Sequence, residues 1–153
     1  MYSRLFVLFL VLLLNIACSQ NRIENISIIA QSSTQDVLQV FISEEFAGNY
    51  TEENSKIQQI NGTDTLSFDI AEYSSLRSIR IDLGDTAGER EFKICGVVFR
   101  KKDLEKVVYG DSLQFFFESN DQVLFDQEKG CFVLKNPVVH DPYIVSKNLT
   151  KVF

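Results

Sequence analysis

The sequence has no Trp, a single His, a single Met and only three Cys among its 153 residues, and each scarcity removes a class of function. One His and no dense Cys/His grouping leave no ordinary zinc site, so neither a metal nor any other cofactor is expected. No Ser, Cys or second His stands in a recognisable nucleophile setting, and the chain does not read as an enzyme. Basic charge is scarce as well, with 15 Lys+Arg against 21 Asp+Glu and a formal charge of −6. A nucleic-acid partner requires clustered Lys/Arg to displace counterions from phosphates, and this balance argues against one. A chain of this length fits one domain, long enough to bury roughly two thirds of its unfolded surface.

What is abundant is unevenly placed. Met1 to Ala17 holds 14 apolar residues with Arg4 as its only charge, and Leu5 to Leu14 is an unbroken apolar run of ten. Ten residues of helix cover about 15 Å, half of the roughly 30 Å hydrocarbon layer, which suits the apolar region of a secretory signal better than an anchor. Residues 1–17 therefore read as a signal peptide, and the chain is expected to act outside the cytoplasm.

Immediately after this run come Leu14-Asn15-Ile16-Ala17-Cys18. The segment resembles the lipobox of bacterial lipoproteins, with the small Ala17 before the Cys and Asn15 where Leu is usual. The resemblance implies acylation of Cys18, residues 18–24 as lipidated Cys and tether, and a cell-envelope protein partnered with a membrane through its lipid. The alternatives are an ordinary signal peptide cut near Ala17 or an uncleaved anchor. With Cys18 used in this way, Cys95 and Cys131 remain as an even pair in an oxidising compartment, where a disulfide can persist if their strands are neighbours. Two buried thiols acting as small hydrophobes are the other reading, and the slightly preferred one.

From Glu24 onward the apolar residues alternate with polar ones. Ile26, Ile28 and Ala30, then Val37 to Ile42, then Leu66, Phe68 and Ile70, then Ile79, Ile81 and Leu83 mark strands, followed by 91–100, 112–118, 123–125, 131–135 and 142–145. Turn chemistry separates them at Asn61-Gly62-Thr63-Asp64, Gly84 to Gly88, Tyr109-Gly110-Asp111 and Lys129-Gly130, and Asp103 to Lys106 fits one helical turn. Thirteen Phe and about nine short strands predict an all-β fold, an antiparallel β-sandwich over 25–153.

Asp36 to Phe41, Tyr50 to Ser55, Leu76 to Asp82, Gly88 and Phe92-Lys93-Ile94 together resemble an extracytoplasmic β-sandwich domain of bacterial membrane proteins and glycosyltransferases tied to surface polysaccharides. The Pro that follows Arg-Ile-Asp in that family is Leu83 here, and the aromatic expected after Phe41 is Ile42. The resemblance implies a jelly-roll-like, carbohydrate-binding-module-like fold in an accessory role.

Several residues are candidates for function. Arg80 and Asp82, two apart on one strand, project to the same face about 7 Å apart, where they could hold a polar ligand; a structural ion pair is the preferred reading. Asp82, Asp85 and Glu89 lack the alternating ligand pattern of a calcium loop and read as a solvated acidic turn. His140 and Asp141 are adjacent, so an extended chain points them to opposite sides and makes a poor base and orienting acid. Sugar rings stack on aromatic faces, and Phe46, Tyr50, Tyr73 and Tyr109 stand in polar, loop-like contexts that suit such a role, with packing at the sandwich edge as the alternative for each. In Phe115-Phe116-Phe117, Phe115 and Phe117 are expected in the core. Asp64-Thr65-Leu66, Asp85-Thr86-Ala87 and Asp111-Ser112-Leu113 are similar to a bacterial O-glycosylation motif.

These readings converge on an envelope lipoprotein whose β-sandwich binds polysaccharide or a polysaccharide-handling complex. A structural or protein-interaction subunit that binds no sugar is the alternative, and a hydrolase a more distant third. Protein extracted from membranes is expected to carry the mass of a diacyl or triacyl group on Cys18, and an intact-mass spectrum that retains residues 1–17 without acyl mass would contradict this.

Overall fold

The computed structural model describes residues 22–45, 48–84, 89–135 and 141–152. Residues 1–17, Cys18, Phe46, Asp85 and His140 lie outside the described residues. The described residues fold as an all-β, antiparallel structure with nine strands. In chain order these are β1 (Asn25–Ser43), β2 (Ser55–Asp69), β3 (Ser78–Leu83), β4 (Phe92–Lys101), β5 (Leu104–Tyr109), β6 (Phe117–Ser119), β7 (Val123–Asp126), β8 (Cys131–Leu134) and β9 (Tyr143–Ser146), with one helical turn, α1 (Leu113–Phe116).

The first strand organises the rest. On both sides of its bend, even-numbered residues of β1 point inward: Ile26, Ile28, Leu38, Val40 and Ile42 are fully buried. Its first half pairs with β4, its second half with β3, and β2 runs beside both halves. The two layers of the sandwich therefore share β1 and β2, which pass from one layer to the other. The corner lies where Ser32 pairs with Gly62 and Asp36 with Ile60, so that three residues of β1 oppose one of β2. Such an irregularity lets a strand bend and change sheets. Asn61 to Asp64, expected as a turn between strands, is this bend within β2, and Gly62 supplies the positive φ of +81° there.

The sheet runs β6-β9-β3-β1-β4-β8-β7, with β2 on β1 and β5 on β4, and it curls nearly shut. Its two end strands follow one another in the chain, joined by a tight turn in which Val123 N–H donates to Asn120 O at 3.2 Å. The Asn120 side chain ties that turn to β9, donating to Asp141 O at 2.7 Å and accepting from Tyr143 N–H at 3.4 Å. One core fills the interior, with Phe68, Phe92, Phe99 and Phe117 as its largest fully buried side chains alongside Ile and Leu from every layer.

Two local expectations are corrected. Residues 104–106 belong to β5, because Lys102-Asp103 forms a two-residue hairpin turn with Lys102 at φ +53° and Lys101 faces Leu104. The β-branched pair Val107-Val108 then continues the strand. Residues 113–116 are helical rather than extended, so successive side chains rotate by about 100° instead of alternating. Leu113 and Phe117 are buried, Phe116 packs against the core, and Phe115 is 76% exposed, contrary to its expected core position.

The cysteines are joined. Cys95 and Cys131 form a disulfide across 36 residues with Cα atoms 4.3 Å apart, correcting the preference for free thiols. Cys95 is the extra residue of a bulge in β4, since Ile29 faces Gly96 and Ala30 faces Ile94. Ile94 pairs with Phe132 on β8, which sets Cys95 beside Cys131.

A buried ion pair stands at the β1 corner. Arg90 Nε lies 2.7 Å from Asp36 Oδ2, with the two side chains 2% and 0% exposed. Asp36 Oδ1 accepts from Val37 N–H at 2.9 Å, and Arg90 Nη2 donates to Leu83 O at 2.8 Å. Gly84, at φ +74°, presses against the carboxylate so closely that a Cβ would sit 2.4 Å from its oxygens. Removing one partner of such a pair leaves a buried charge exposed to an apolar surrounding and costs about 3–5 kcal/mol. Arg90→Met is expected to lower the unfolding free energy in urea by that amount, while Arg90→Met combined with Asp36→Leu recovers part of it. Equal losses in the single and double variants would contradict this account.

Candidate functional site

Three of the residues nominated from sequence meet on the outer face of the β3 layer. Odd-numbered residues of β3 point into the core, so Arg80 and Asp82 point out, and Arg80 faces Phe41 on β1 while Asp82 faces Tyr143 on β9. The guanidinium is bidentate on the carboxylate, with Nε to Oδ1 and Nη2 to Oδ2 both at 2.7 Å. It also lies over two rings, 4.2 Å from the centroid of Tyr143 and 5.3 Å from that of Phe41. Planar Arg both pairs and stacks, which desolvates the pair and leaves the side chains 24% and 16% exposed. Burial pushes the Asp82 carboxyl above its ordinary pKa, against the opposing pull of Arg80, with Asp141 and Glu52 adding to the rise. Tyr50 stands beside this group, folded over Gly48, where a Cβ would lie 2.6 Å from the ring. Burial raises its phenol pKa, and a hydrogen bond with Ser78 and the charge of Arg80 lower it. Gln39 Nε2 completes the row, donating to Glu52 Oε2 at 2.8 Å and to Ser55 Oγ at 2.9 Å. The donors and acceptors of this cluster are directed largely at one another.

The other two tyrosines lie apart. Tyr73 follows β2 and packs, partly buried, against the core, with burial as the main cause of its raised pKa. Tyr109 ends β5 in the opposite layer, facing Gly96, and is 67% exposed.

A different arrangement occurs where three connections meet. Asp111, Gln114, Phe115, Gln127 and Lys147 line a cleft of about 660 Å³. The 110–112 turn and α1 form one wall, the β7–β8 turn another, and the residue after β9 the third. Gly110 and Gly130, at φ +55° and +63°, let the first two walls touch, since a Cβ on Gly130 would lie 2.9 Å from Gly110 Cα. Ser112 fixes the start of the helical turn by accepting from Tyr109 N–H at 3.0 Å and donating back to Tyr109 O. Lys147 closes the far side, its backbone N–H donating to Phe116 O at 2.8 Å and its Nζ to Gln114 O at 2.9 Å. The result is one large aromatic ring facing solvent, surrounded by a carboxylate, two amides and an ammonium group. Phe115 was missed as a surface residue from sequence, although Gly110-Asp111-Ser112 immediately upstream carries a turn signal that shifts the phase of the Phe run.

Among the described residues no His/Cys/Asp/Glu group is arranged to hold a metal ion, and no helix is long and apolar enough to cross a membrane. Comparison with protein-family models, with curated proteins and with solved structures finds no match.

The raised phenol pKa values give a sign to alkaline unfolding. When the unfolded tyrosines ionise near pH 10 and the folded ones do not, the native state holds more protons, so stability is complete below that pH and falls as pH rises toward the folded values. Tyr50→Phe and Tyr73→Phe are each expected to flatten the loss of stability above about pH 10, measured by urea titration at fixed pH values. An unchanged slope in both variants would contradict the burial of these hydroxyls.

Proposed function

We propose that the protein is an envelope lipoprotein, exported by residues 1–17 and anchored through Cys18, whose sandwich binds envelope polysaccharide without transforming it. The observation that carries the reading is the exposed Phe115 ring set in a polar cleft. A sugar offers a flat C–H face for such a ring and a rim of hydroxyls for side chains like Asp111, Gln114 and Gln127. The cleft has the size of a small-ligand site, and its walls are loops on a disulfide-tied scaffold. Among its lining residues Asp111 is the one carboxylate, whereas glycoside hydrolysis works through two. The Arg80–Asp82 pair, closed on itself between two rings, serves as a brace for the β3 layer in this reading.

A second reading, a protein-interaction subunit, is favoured by β5, whose Leu104, Val107 and Tyr109 are 57%, 42% and 67% exposed on an edge strand open to strand addition.

A glycan array probed with folded protein separates the two. Binding to an envelope polysaccharide is expected, with Phe115→Ala weakening it about tenfold or more while the unfolding free energy stays within about 0.5 kcal/mol, as for an exposed side chain. An empty array together with an empty envelope pull-down would overturn the polysaccharide reading; a captured envelope protein lost on Val107→Lys would support the second.

A further inference from the structure

The first described residues enter the sandwich beside the β4–β5 turn. Glu24 N–H donates to Arg100 O at 2.8 Å, Ile70 N–H donates to Glu24 O at 2.9 Å, and Lys102 N–H donates to a Glu24 carboxylate oxygen at 3.3 Å. These bonds fix where the tether of an anchored chain would join the domain. Three residues separate Cys18 from Arg22, so a fully extended connection reaches only about 14 Å. A domain held that closely must turn this end toward the bilayer.

The charge at this end differs from the rest of the chain. Arg100, Lys101, Lys102 and Lys106 stand with three acids, Glu24, Asp103 and Glu105, whereas the remainder of residues 18–153 carries ten basic against eighteen acidic residues. Arg100 is paired with Glu105 at 2.9 Å, while Lys102 and Lys106 are exposed. Leu104, opposite Lys101 in the hairpin, is 57% exposed at the tip. Cationic side chains flanking an exposed aliphatic residue match the chemistry of an anionic phospholipid surface, where phosphate groups lie above the acyl boundary.

We propose that the β4–β5 turn is the face this domain lays on an anionic membrane. Lys101, Lys102 and Lys106 meet the headgroup phosphates and Leu104 enters between them. The contact adds a second attachment to the lipid on Cys18 and so sets the orientation of the domain. It rests on the anchoring reading above, because the short tether brings the turn within reach.

The test uses the full chain purified from membranes and reconstituted on vesicles of phosphatidylcholine alone or mixed with phosphatidylglycerol. Lysine acetylation is read by mass spectrometry. Acetylation of Lys101, Lys102 and Lys106 is expected to fall about fivefold on the anionic vesicles relative to the neutral ones, to recover at high salt, and to remain unchanged at Lys129. Lys101→Glu with Lys102→Glu is expected to remove the protection at Lys106. Equal labelling on both vesicle types, in protein whose mass includes the acyl group, would overturn the membrane face while leaving the anchor intact. An intact mass without acyl groups would overturn the anchoring reading and the proposal built on it.

Discussion

A single strand has to serve two layers, and the Asp36–Arg90 pair holds the place where it does so. β1 cannot pair with β4 along its first half and β3 along its second unless it bends between Ser32 and Asp36. At that bend the backbone leaves the regular ladder, and a buried carboxylate bound to Val37 N–H and ion-paired with Arg90 takes over. Arg90 then reaches Leu83 O at the end of β3, so the corner is tied to the layer into which β1 has turned. Burying two charges is costly unless each finds its partner in good geometry. Here the arrangement is specific: Gly84 must lack a side chain for the carboxylate to fit, and its φ of +74° is one that residues with a Cβ rarely adopt.

With that corner set, the sandwich closes around a common core, and its irregularities gather at the ends of strands. The Cys95–Cys131 bond fastens β4 to β8 at a bulge, where regular ladder pairing is interrupted. Asn120 fastens the gap between the two terminal strands. These ties leave the loops at one end on a firm base, and the cleft around Phe115 is built from such loops. The Arg80 cluster is a contrast within the same molecule: its aromatic and charged groups satisfy one another across neighbouring strands, whereas the Phe115 ring has a polar rim and open solvent above it.

Much of the fold was legible in the order of residues. Alternation in 26–30, 66–70 and 79–83 placed strands and their inward faces as the structure has them, because one buried face and one solvated face impose a period of two. The pairing of Arg80 with Asp82 was equally accessible, since their spacing puts both on one face whatever the neighbours are. Phe115 was not, because a four-residue helical turn is too short to show a period of its own. The β4–β5 hairpin was hidden for a related reason: Lys102 adopts a left-handed conformation that its residue type rarely takes.

The sequence by itself determined the all-β class, the inward and outward faces of most strands and the acidic balance, since these follow from local alternation and composition. Only the tertiary structure decided that 25–43 is one bent strand serving both layers, that Cys95 meets Cys131, and that five residues from three connections line an open cleft. Each of those depends on register between segments far apart in the chain. Register is chosen by the joint packing of many side chains in a shared core, which no single stretch of residues encodes.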